Sequence, residues 1–496
     1  MPDKRKQAKY LKGKTALVMG LGIHGGGVAT ALWLVHHGAK VTVTDKRDKE
    51  LLASSVRALK GVPVRYKLGG HDKRDFISHD IIVVNPGVPQ KNEYLALAEK
   101  AAKSKKISIE NDVSLFFRNS DAAVIGVTGT RGKTTTTLWV AELLKTKHGE
   151  VRPSGNTPMN ALLKEFDRVQ GTGTPVVAEL SSWQLEYLPV SKRAPHVAVI
   201  TNLYPDHLNR YSGIRAYASA KANIFRHQHE DDFLVLNHDN EWTPFFLAKK
   251  PKGIVFFIST KPLPRSLNGL FVRKEKLVFR FDGMEQQLFS VKRFIRERGA
   301  HNLENLLAAV LAVKLFDSSV HVSEKSVLVL PTPRMRQEVV FQNKELTVIN
   351  DSCATSPDGT IAAIKRFAGQ KNQRLILICG GTDKELEFSE LATVIKAHIL
   401  PENIILLNGS ATTKLIGALR ALGYDKKYPL VAYDELSLCV KIAIVEVKNQ
   451  KQKTTILFSP GAASFEKFLH EFDRGEKFNA LIKKRPRKVG RMQNNS

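Results

Sequence analysis

Cysteine is scarce. Cys353, Cys379 and Cys439 are the only three in 496 residues, too few and too scattered for a disulfide framework or a Cys-rich zinc site, which suits a reducing compartment. No apolar run approaches the roughly 18 residues of a membrane span. The start, MPDKRKQAKYLKGK, lacks the apolar core of a secretory signal. A cytoplasmic protein without a membrane span is therefore expected. Internal repeats and low-complexity tracts are absent too. Acidic residues are the minority charge, 48 Asp+Glu against 76 Lys+Arg, for a net charge of +28. Such a charge suits nucleic acid, anionic lipid or polyanionic small substrates, and by itself selects none of them. Its only clusters are Lys4-Arg5-Lys6 and Lys483-Lys484-Arg485-Pro486-Arg487-Lys488, which read as solvated tails. A basic face studded with aromatics, as nucleic-acid binding would need, is not visible, so no nucleic-acid partner is expected.

What is present is 43% apolar residues, enough for two to four packed domains. Three blocks of alternating strands and helices follow one another. The first has strands at Thr15 to Met19, Lys40 to Thr44 and His79 to Val84, and runs to about Ser120. This is a βαβ series and predicts a parallel sheet with helices on its faces. The second block begins with the strand Ala122 to Val127 and a helix from Lys133 to Lys145. Strands Pro175 to Glu179, His196 to Ile200 and Phe233 to Leu236 follow, then a β-rich stretch from Gly253 to Phe281 and an amphipathic helix from His301 to Val310. Pro331-Thr332-Pro333 marks a boundary. The third block carries strands Leu346 to Ile349, Arg374 to Ile378, Asn403 to Leu407 and Thr455 to Phe458. The expected domains are 1–120, 121–333 and 334–496. In open α/β sheets ligands sit beyond the carboxyl ends of the strands, and every motif below lies there.

Gly126-Val-Thr-Gly129-Thr130-Arg131-Gly132-Lys133-Thr134-Thr135 joins a strand to a helix. It reads as a phosphate cradle. Glycines let backbone N–H groups converge on phosphate oxygens, Lys133 neutralises the terminal phosphates and Thr134 can offer its hydroxyl to Mg²⁺. The GxxxxGK[ST] pattern fails at one position, where Val127 replaces its first glycine. Gly20-Leu-Gly22-Ile23-His24-Gly25, with Asp45 at the next strand end, fits the dinucleotide fingerprint, so either a nicotinamide cofactor or plain helix-on-strand packing explains it. Glu179 and His207 each follow a buried strand beside the phosphate loop. Taken alone, each fits a capping or core role; together they suit Mg²⁺, which favours carboxylate oxygens next to triphosphate.

These residues resemble the Mur ligase family, ATP-dependent amide-forming enzymes of peptidoglycan precursor synthesis, and within it the glutamate-adding branch. The resemblance runs from about Lys14 to Ala480. It is carried by Gly20-Leu-Gly22, Asn85-Pro-Gly-Val-Pro89, the loop at 126 to 135, Ser154-Gly-Asn156, Glu179-Leu-Ser-Ser-Trp-Gln-Leu-Glu186, Asp206-His-Leu-Asn-Arg-Tyr211 and Lys221. It continues through Asn350-Asp-Ser-Cys-Ala-Thr355, Gly380-Gly-Thr-Asp-Lys384, Ser459-Pro-Gly-Ala-Ala-Ser464 and Asp473-Arg-Gly475. It implies an α/β fold of three domains: an N-terminal Rossmann-like sheet, a central P-loop ATPase sheet and a C-terminal Rossmann-like sheet.

The resemblance also implies ligands. The first domain would hold a uridine diphosphate moiety near Ile23, His24, Asp45, Arg47 and Gly87, displacing the nicotinamide reading, with Asn156 and His207 reaching the substrate. ATP phosphates would lie on Gly129 to Thr135, with Asn302, Arg336 and Asp351 at the adenosine end. Thr134 and Glu179 would bind one Mg²⁺, and His207 with carbamylated Lys221 a second. Thr355, Lys384 and Ser464 would hold glutamate. The implied reaction makes an acyl phosphate of UDP-N-acetylmuramoyl-L-alanine at the expense of ATP, and glutamate, taken as the D form, attacks it; the enzyme is expected to be a monomer. Three positions depart from the family: Met335 stands for a frequent His, Cys353 for a frequent Lys, and His24 for a commoner Thr or Ser. Addition of L-glutamate or another amino acid, a folylpolyglutamate synthase and a basic P-loop nucleic-acid-binding protein are the alternatives. A nucleotide-sugar domain ahead of the loop argues against the folate enzyme, which begins near its P-loop.

Overall fold

Each run of buried β-branched residues becomes a strand, and the turns after those strands carry the motifs. The computed structural model describes residues 9–484 except 24, 90, 157–159, 208–209, 369–372, 426–427 and 449–451. His24, Leu208, Lys4-Arg5-Lys6 and the stretch from Arg485 to Lys488 lie outside the described residues. The first sheet comprises β1 (Thr15–Met19), β2 (Lys40–Asp45), β3 (Val64–Leu68), β4 (Ile81–Val84) and β5 (Ser108–Glu110). All are parallel, in the order β3-β2-β1-β4-β5. That is a doubly wound arrangement, whose order reverses beside β1.

The central sheet has nine strands: β6 (Val124–Thr128), β7 (Pro153–Gly155), β8 (Val176–Glu179), β9 (Val197–Ile200), β10 (Phe233–Asn237), β11 (Ile254–Ser259), β12 (Gly269–Arg273), β13 (Lys276–Phe281) and β14 (Met284–Ser290). Their order is β14-β13-β12-β11-β10-β9-β6-β8-β7. β6 lies between β8 and β9, parallel to both, and is wholly buried, as a strand covered on both faces must be. β12 to β14 form an antiparallel meander, and Asp282 (φ 49°) with Gly283 (φ 75°) closes its last hairpin. An Asp-Gly pair with both φ positive matches the twist of the flanking strands.

Helix Leu303–Phe316 begins two residues later than expected, after a short 3₁₀ turn over Ala300–Asn302. Ten of its fourteen residues are buried, so it is a core helix rather than an amphipathic one. Together with helix Lys133–His148 it covers one face of the central sheet through Trp139, Leu306, Val310 and their neighbours. On the other face, the core runs without a break into the first sheet: Phe116 and Phe117 pack in one cluster with Leu162, Phe166 and Leu185. Residues 1–331 therefore form one compact unit containing both sheets.

The second unit, residues 332–496, holds β15 (Glu338–Gln342), β16 (Leu346–Asn350), β17 (Arg374–Cys379), β18 (Ile404–Leu407), β19 (Ala432–Tyr433) and β20 (Thr454–Phe458), in the order β15-β16-β20-β17-β18-β19. All pairs are parallel except the antiparallel edge β15. Two apolar clusters cover its two faces. Among the described residues no helix is long and apolar enough to cross a membrane.

Candidate active site

The phosphate-loop motif occupies the carboxyl end of β6. Val127, where the strict pattern wants glycine, is the penultimate strand residue, buried and paired between Glu179 and Val199; the strand runs one residue further before the loop opens. Gly129 and Gly132 are required by geometry. Both have positive φ, 148° and 81°, and a Cβ on either would sit 1.9 Å from Thr201 Oγ1 or 2.0 Å from Asn305 Oδ1. The N–H groups of Thr130 and Arg131 donate to the Asn202 backbone and side-chain oxygens at 3.0 and 2.9 Å, and the Thr201 hydroxyl donates to the Arg131 carbonyl at 2.6 Å. The donors left to meet an anion are those of the first helical turn at Lys133, Thr134 and Thr135. No side chain caps that turn, which is the arrangement that attracts phosphate. Lys133 Nζ bends back onto the Gly129 and Thr130 carbonyls at 3.0 and 3.2 Å, and thus over the loop.

Lys221, on helix Ile214–Ala222, is 1% exposed. Its Nζ donates to the Gly129 carbonyl at 2.9 Å and stands 4.6 Å from the centre of the Tyr217 ring. Burial drives its amine well below the usual lysine range, and Lys133 adds to this; Asp206 and Glu179 oppose it without prevailing. Glu179, at the end of β8, accepts from Asn156 Nδ2 at 3.3 Å through Oε1, while its buried Oε2 has no hydrogen-bond partner among the described residues. A buried carboxylate oxygen left without a donor, beside a loop built for phosphate, fits a hard cation. Thr134 lies half-buried in the adjacent turn. Among the described residues no three His, Cys, Asp or Glu side chains form a metal cage.

His207 has φ 55°, with Nε2 3.9 Å from Asp206 Oδ2 and its ring 5.2 Å from that of Trp183. Asp206 also pairs with Arg131 at 2.9 Å, tying this turn to the phosphate loop. Arg210 was visible in the sequence only as part of a motif, yet it holds three pieces of the site together. Its guanidinium stacks 4.5 Å over Trp183, pairs with Glu186 at 3.0 Å and donates to the Pro86 carbonyl at 3.2 Å. Asn302 Oδ1 accepts from Asn305 Nδ2 at 3.1 Å, which places it one side chain away from Gly132.

In the first sheet, Asp45 ends β2 and accepts from Gly22 N at 3.1 Å and from a two-pronged Arg47 at 3.0 and 3.1 Å. Burial works to raise its pKa, but the bonds from Arg47 and Gly22 outweigh it and hold the carboxyl below its ordinary value. Ile23 is half-buried against the core and Gly87 is exposed in the turn after β4. The glycine that packs helix Gly26–His36 on β1 is Gly27, outside the quoted fingerprint: a Cβ there would lie 2.3 Å from the Leu21 carbonyl oxygen.

In the second unit Lys384 Nζ donates to Thr355 Oγ1 at 3.4 Å. Ser464 is buried, its hydroxyl without a partner among the described residues, next to Ala463, which exchanges two 3.0 Å backbone bonds with Thr382. These three thus share one end of the sheet. Arg474, fully buried, ties the segment together by donating to the Ser352 carbonyl at 2.7 Å and to those of Ala462 and Ala463 at 3.1 and 2.9 Å. Asp351 accepts from Gln337 N at 3.0 Å and Ser459 Oγ at 2.7 Å; burial pushes its pKa up to about 7, although Ser459, Gln337 and Arg336 pull it down. Cys353 is buried, its thiol pushed up to about 12 by burial. Met335 (φ 57°) fills the space beside Gly475.

Residues 127–313 match the Mur ligase middle domain, and residues 14–107 match the N-terminal domain of MurD-like Mur ligases. The chain is 36% identical over 480 residues to the UDP-N-acetylmuramoylalanine--D-glutamate ligase of Roseiflexus sp. (strain RS-1), covering 95% of this chain and 99% of the relative. It is 33% identical over 481 residues to that of Borreliella afzelii (strain PKo), covering 95% and 98%. Among solved structures, UDP-N-acetylmuramate-alanine ligase MurC from Thermotoga maritima matches with a TM-score of 0.56 at 20% identity, covering 95% of this chain and 99% of that one. MurF from Acinetobacter baumannii matches with a TM-score of 0.54 at 17% identity, covering 98% and 93%. These two likenesses concern the fold.

Proposed function

The chain belongs to the Mur ligase family, and on that premise we propose that it joins D-glutamate to UDP-N-acetylmuramoyl-L-alanine in peptidoglycan precursor synthesis, using ATP and Mg²⁺. We read its three sheets as three domains, 1–120, 121–333 and 334–496, for the nucleotide-sugar, ATP and the incoming amino acid. The substrates, ATP and a UDP-sugar, are cytoplasmic metabolites, and the reaction is assigned to that compartment, with the monomer as the working unit.

A free carboxylate is a poor acyl donor, so the γ-phosphoryl group of ATP is first transferred to the alanine carboxylate. The glutamate amine then displaces phosphate from the acyl phosphate. Lys133 and the first turn of its helix hold the triphosphate where charge builds up during transfer. Asn305 lies against Gly132 of the loop, and the family resemblance assigns Asn302, Arg336 and Asp351 to adenosine. Thr134 and Glu179 would hold one Mg²⁺ and His207 with Lys221 a second, to offset charge on the transferring phosphoryl group. Asn156 and His207 orient the acyl substrate, whose uridine diphosphate rests near Ile23, His24, Asp45, Arg47 and Gly87. Thr355, Lys384 and Ser464 take the two carboxylates of glutamate; a cation and two hydroxyls suit a dicarboxylate.

The observation that carries the reading is Lys221. Burial beside the phosphate loop disfavours the charged form of this amine, its neutral form can add CO₂, and the resulting carbamate replaces a cation with an oxygen-bearing anion where a metal is needed. Lys221→Ala is expected to lose at least about 100-fold in turnover and to regain part of it with added acetate or formate. A folded, fully active Lys221→Ala enzyme would remove that role.

A further inference from the structure

A concave basic surface on the first unit takes no part in the proposed reaction. It is a groove of about 440 Å³, lined by Arg226, Lys249, Lys250 and Lys252 with the polar side chains of Ser219 and Asn223. Ser219 and Asn223 flank Lys221 in sequence, yet the Lys221 amine is buried against the Gly129 carbonyl, so the groove is separate from the phosphate loop. Among the described residues none of the four cations pairs with a carboxylate. The acids of the neighbouring turns are occupied: Asp232 by His196 at 2.8 Å, and Asp239 by Ser259 and Thr260 at 2.7 Å each. Glu230 and Asp231 do not line the groove.

Part of this charge has a local reason. Lys249 and Lys250 follow the carboxyl end of the short helix Thr243–Leu247, where cations are favoured by the helix dipole, and Lys249 also rests 5.0 Å from the Phe245 ring centre. Arg226 and Lys252 have no such partner, and converging like charges cost free energy unless an anion answers them. Their field is felt nearby: burial lowers the pKa of His227, and Arg226, Lys192 and Lys252 lower it further.

We propose that this groove is a second anion site, for a soluble oligophosphate of about the size of a triphosphate. The volume falls in the range of small-ligand sites. Four cations around a concavity match clustered phosphates, and Ser219 and Asn223 add hydrogen bonds. A flat bilayer would engage a convex face instead. The proposal does not depend on the reaction assigned above.

The test is calorimetric titration of the full-length protein with tripolyphosphate in metal-free buffer, with binding at the phosphate loop identified as the equivalent lost in Lys133→Ala. One further equivalent should bind per chain, weakening at raised ionic strength. Affinity should fall at least tenfold in the Arg226→Ala/Lys252→Ala variant, whose melting temperature and basal turnover stay as in the wild type. No further equivalent, or one that the double variant retains, would overturn the site; the latter outcome means an adventitious ion only. Binding to phosphatidylglycerol vesicles without binding to tripolyphosphate would also overturn it, in favour of a membrane surface.

Discussion

Lys221 and Asp351 are subject to the same force, burial that favours the neutral form, and each shows what one side chain contributes. For Asp351 the consequence is measurable as stability. Its pKa is about 7 in the fold against an ordinary 3.8, so between these values the folded chain holds a proton that the unfolded chain has released. Stability must then fall as pH rises from about 4 to about 7 and level off above that. Asp351→Asn removes this dependence. Calorimetry should show the melting temperature of the variant, relative to the wild type, rising from pH 5 to pH 8; parallel curves would contradict it. Lys384 belongs to the same scale. With Cys353 in place of the family's lysine, one cation fewer is available, and Lys384→Ala should raise the glutamate KM by roughly 10-fold or more, the loss of a charge-assisted contact of about 1.5–3 kcal/mol. The KM for ATP should barely change. Equal effects on both constants would mean that Lys384 acts elsewhere.

The strand-to-helix turn at 129–132 is where element geometry and chemistry meet. Gly132 combines a positive φ with a would-be Cβ 2.0 Å from Asn305 Oδ1. Gly132→Ala should therefore lower the melting temperature and abolish phosphate release. Adding Asn305→Ala relieves only the clash, leaving a backbone cost of about 1–2 kcal/mol, so the double variant should recover only in part; full recovery would show that backbone strain is irrelevant there. This turn was legible in the sequence because glycine, lysine and threonine spacing encodes it directly. So were the central strands, such as β1, β6 and β17, whose apolar runs reflect burial on both faces. The edge strands were not: β7 is three residues starting at Pro153, and β15 is antiparallel with half-exposed side chains, neither of which leaves a periodic signal. Equally illegible were the hold of Asn202 and Thr201 on the loop and the full burial of Arg474, since each depends on residues distant in sequence arriving at one place.

At the scale of the whole molecule there are two compact units, and the proposed reaction assigns the nucleotide-sugar and phosphate ends to one and the amino-acid end to the other. If both serve the proposed reaction, ATP turnover depends on UDP-N-acetylmuramoyl-L-alanine and glutamate at once. The most direct test is phosphate release from ATP with UDP-N-acetylmuramoyl-L-alanine present, offering D-glutamate, L-glutamate, aspartate and lysine in turn. Rapid release is expected only when UDP-N-acetylmuramoyl-L-alanine and D-glutamate are together. Release that needs neither, or that responds to lysine while both glutamate enantiomers fail, would contradict it.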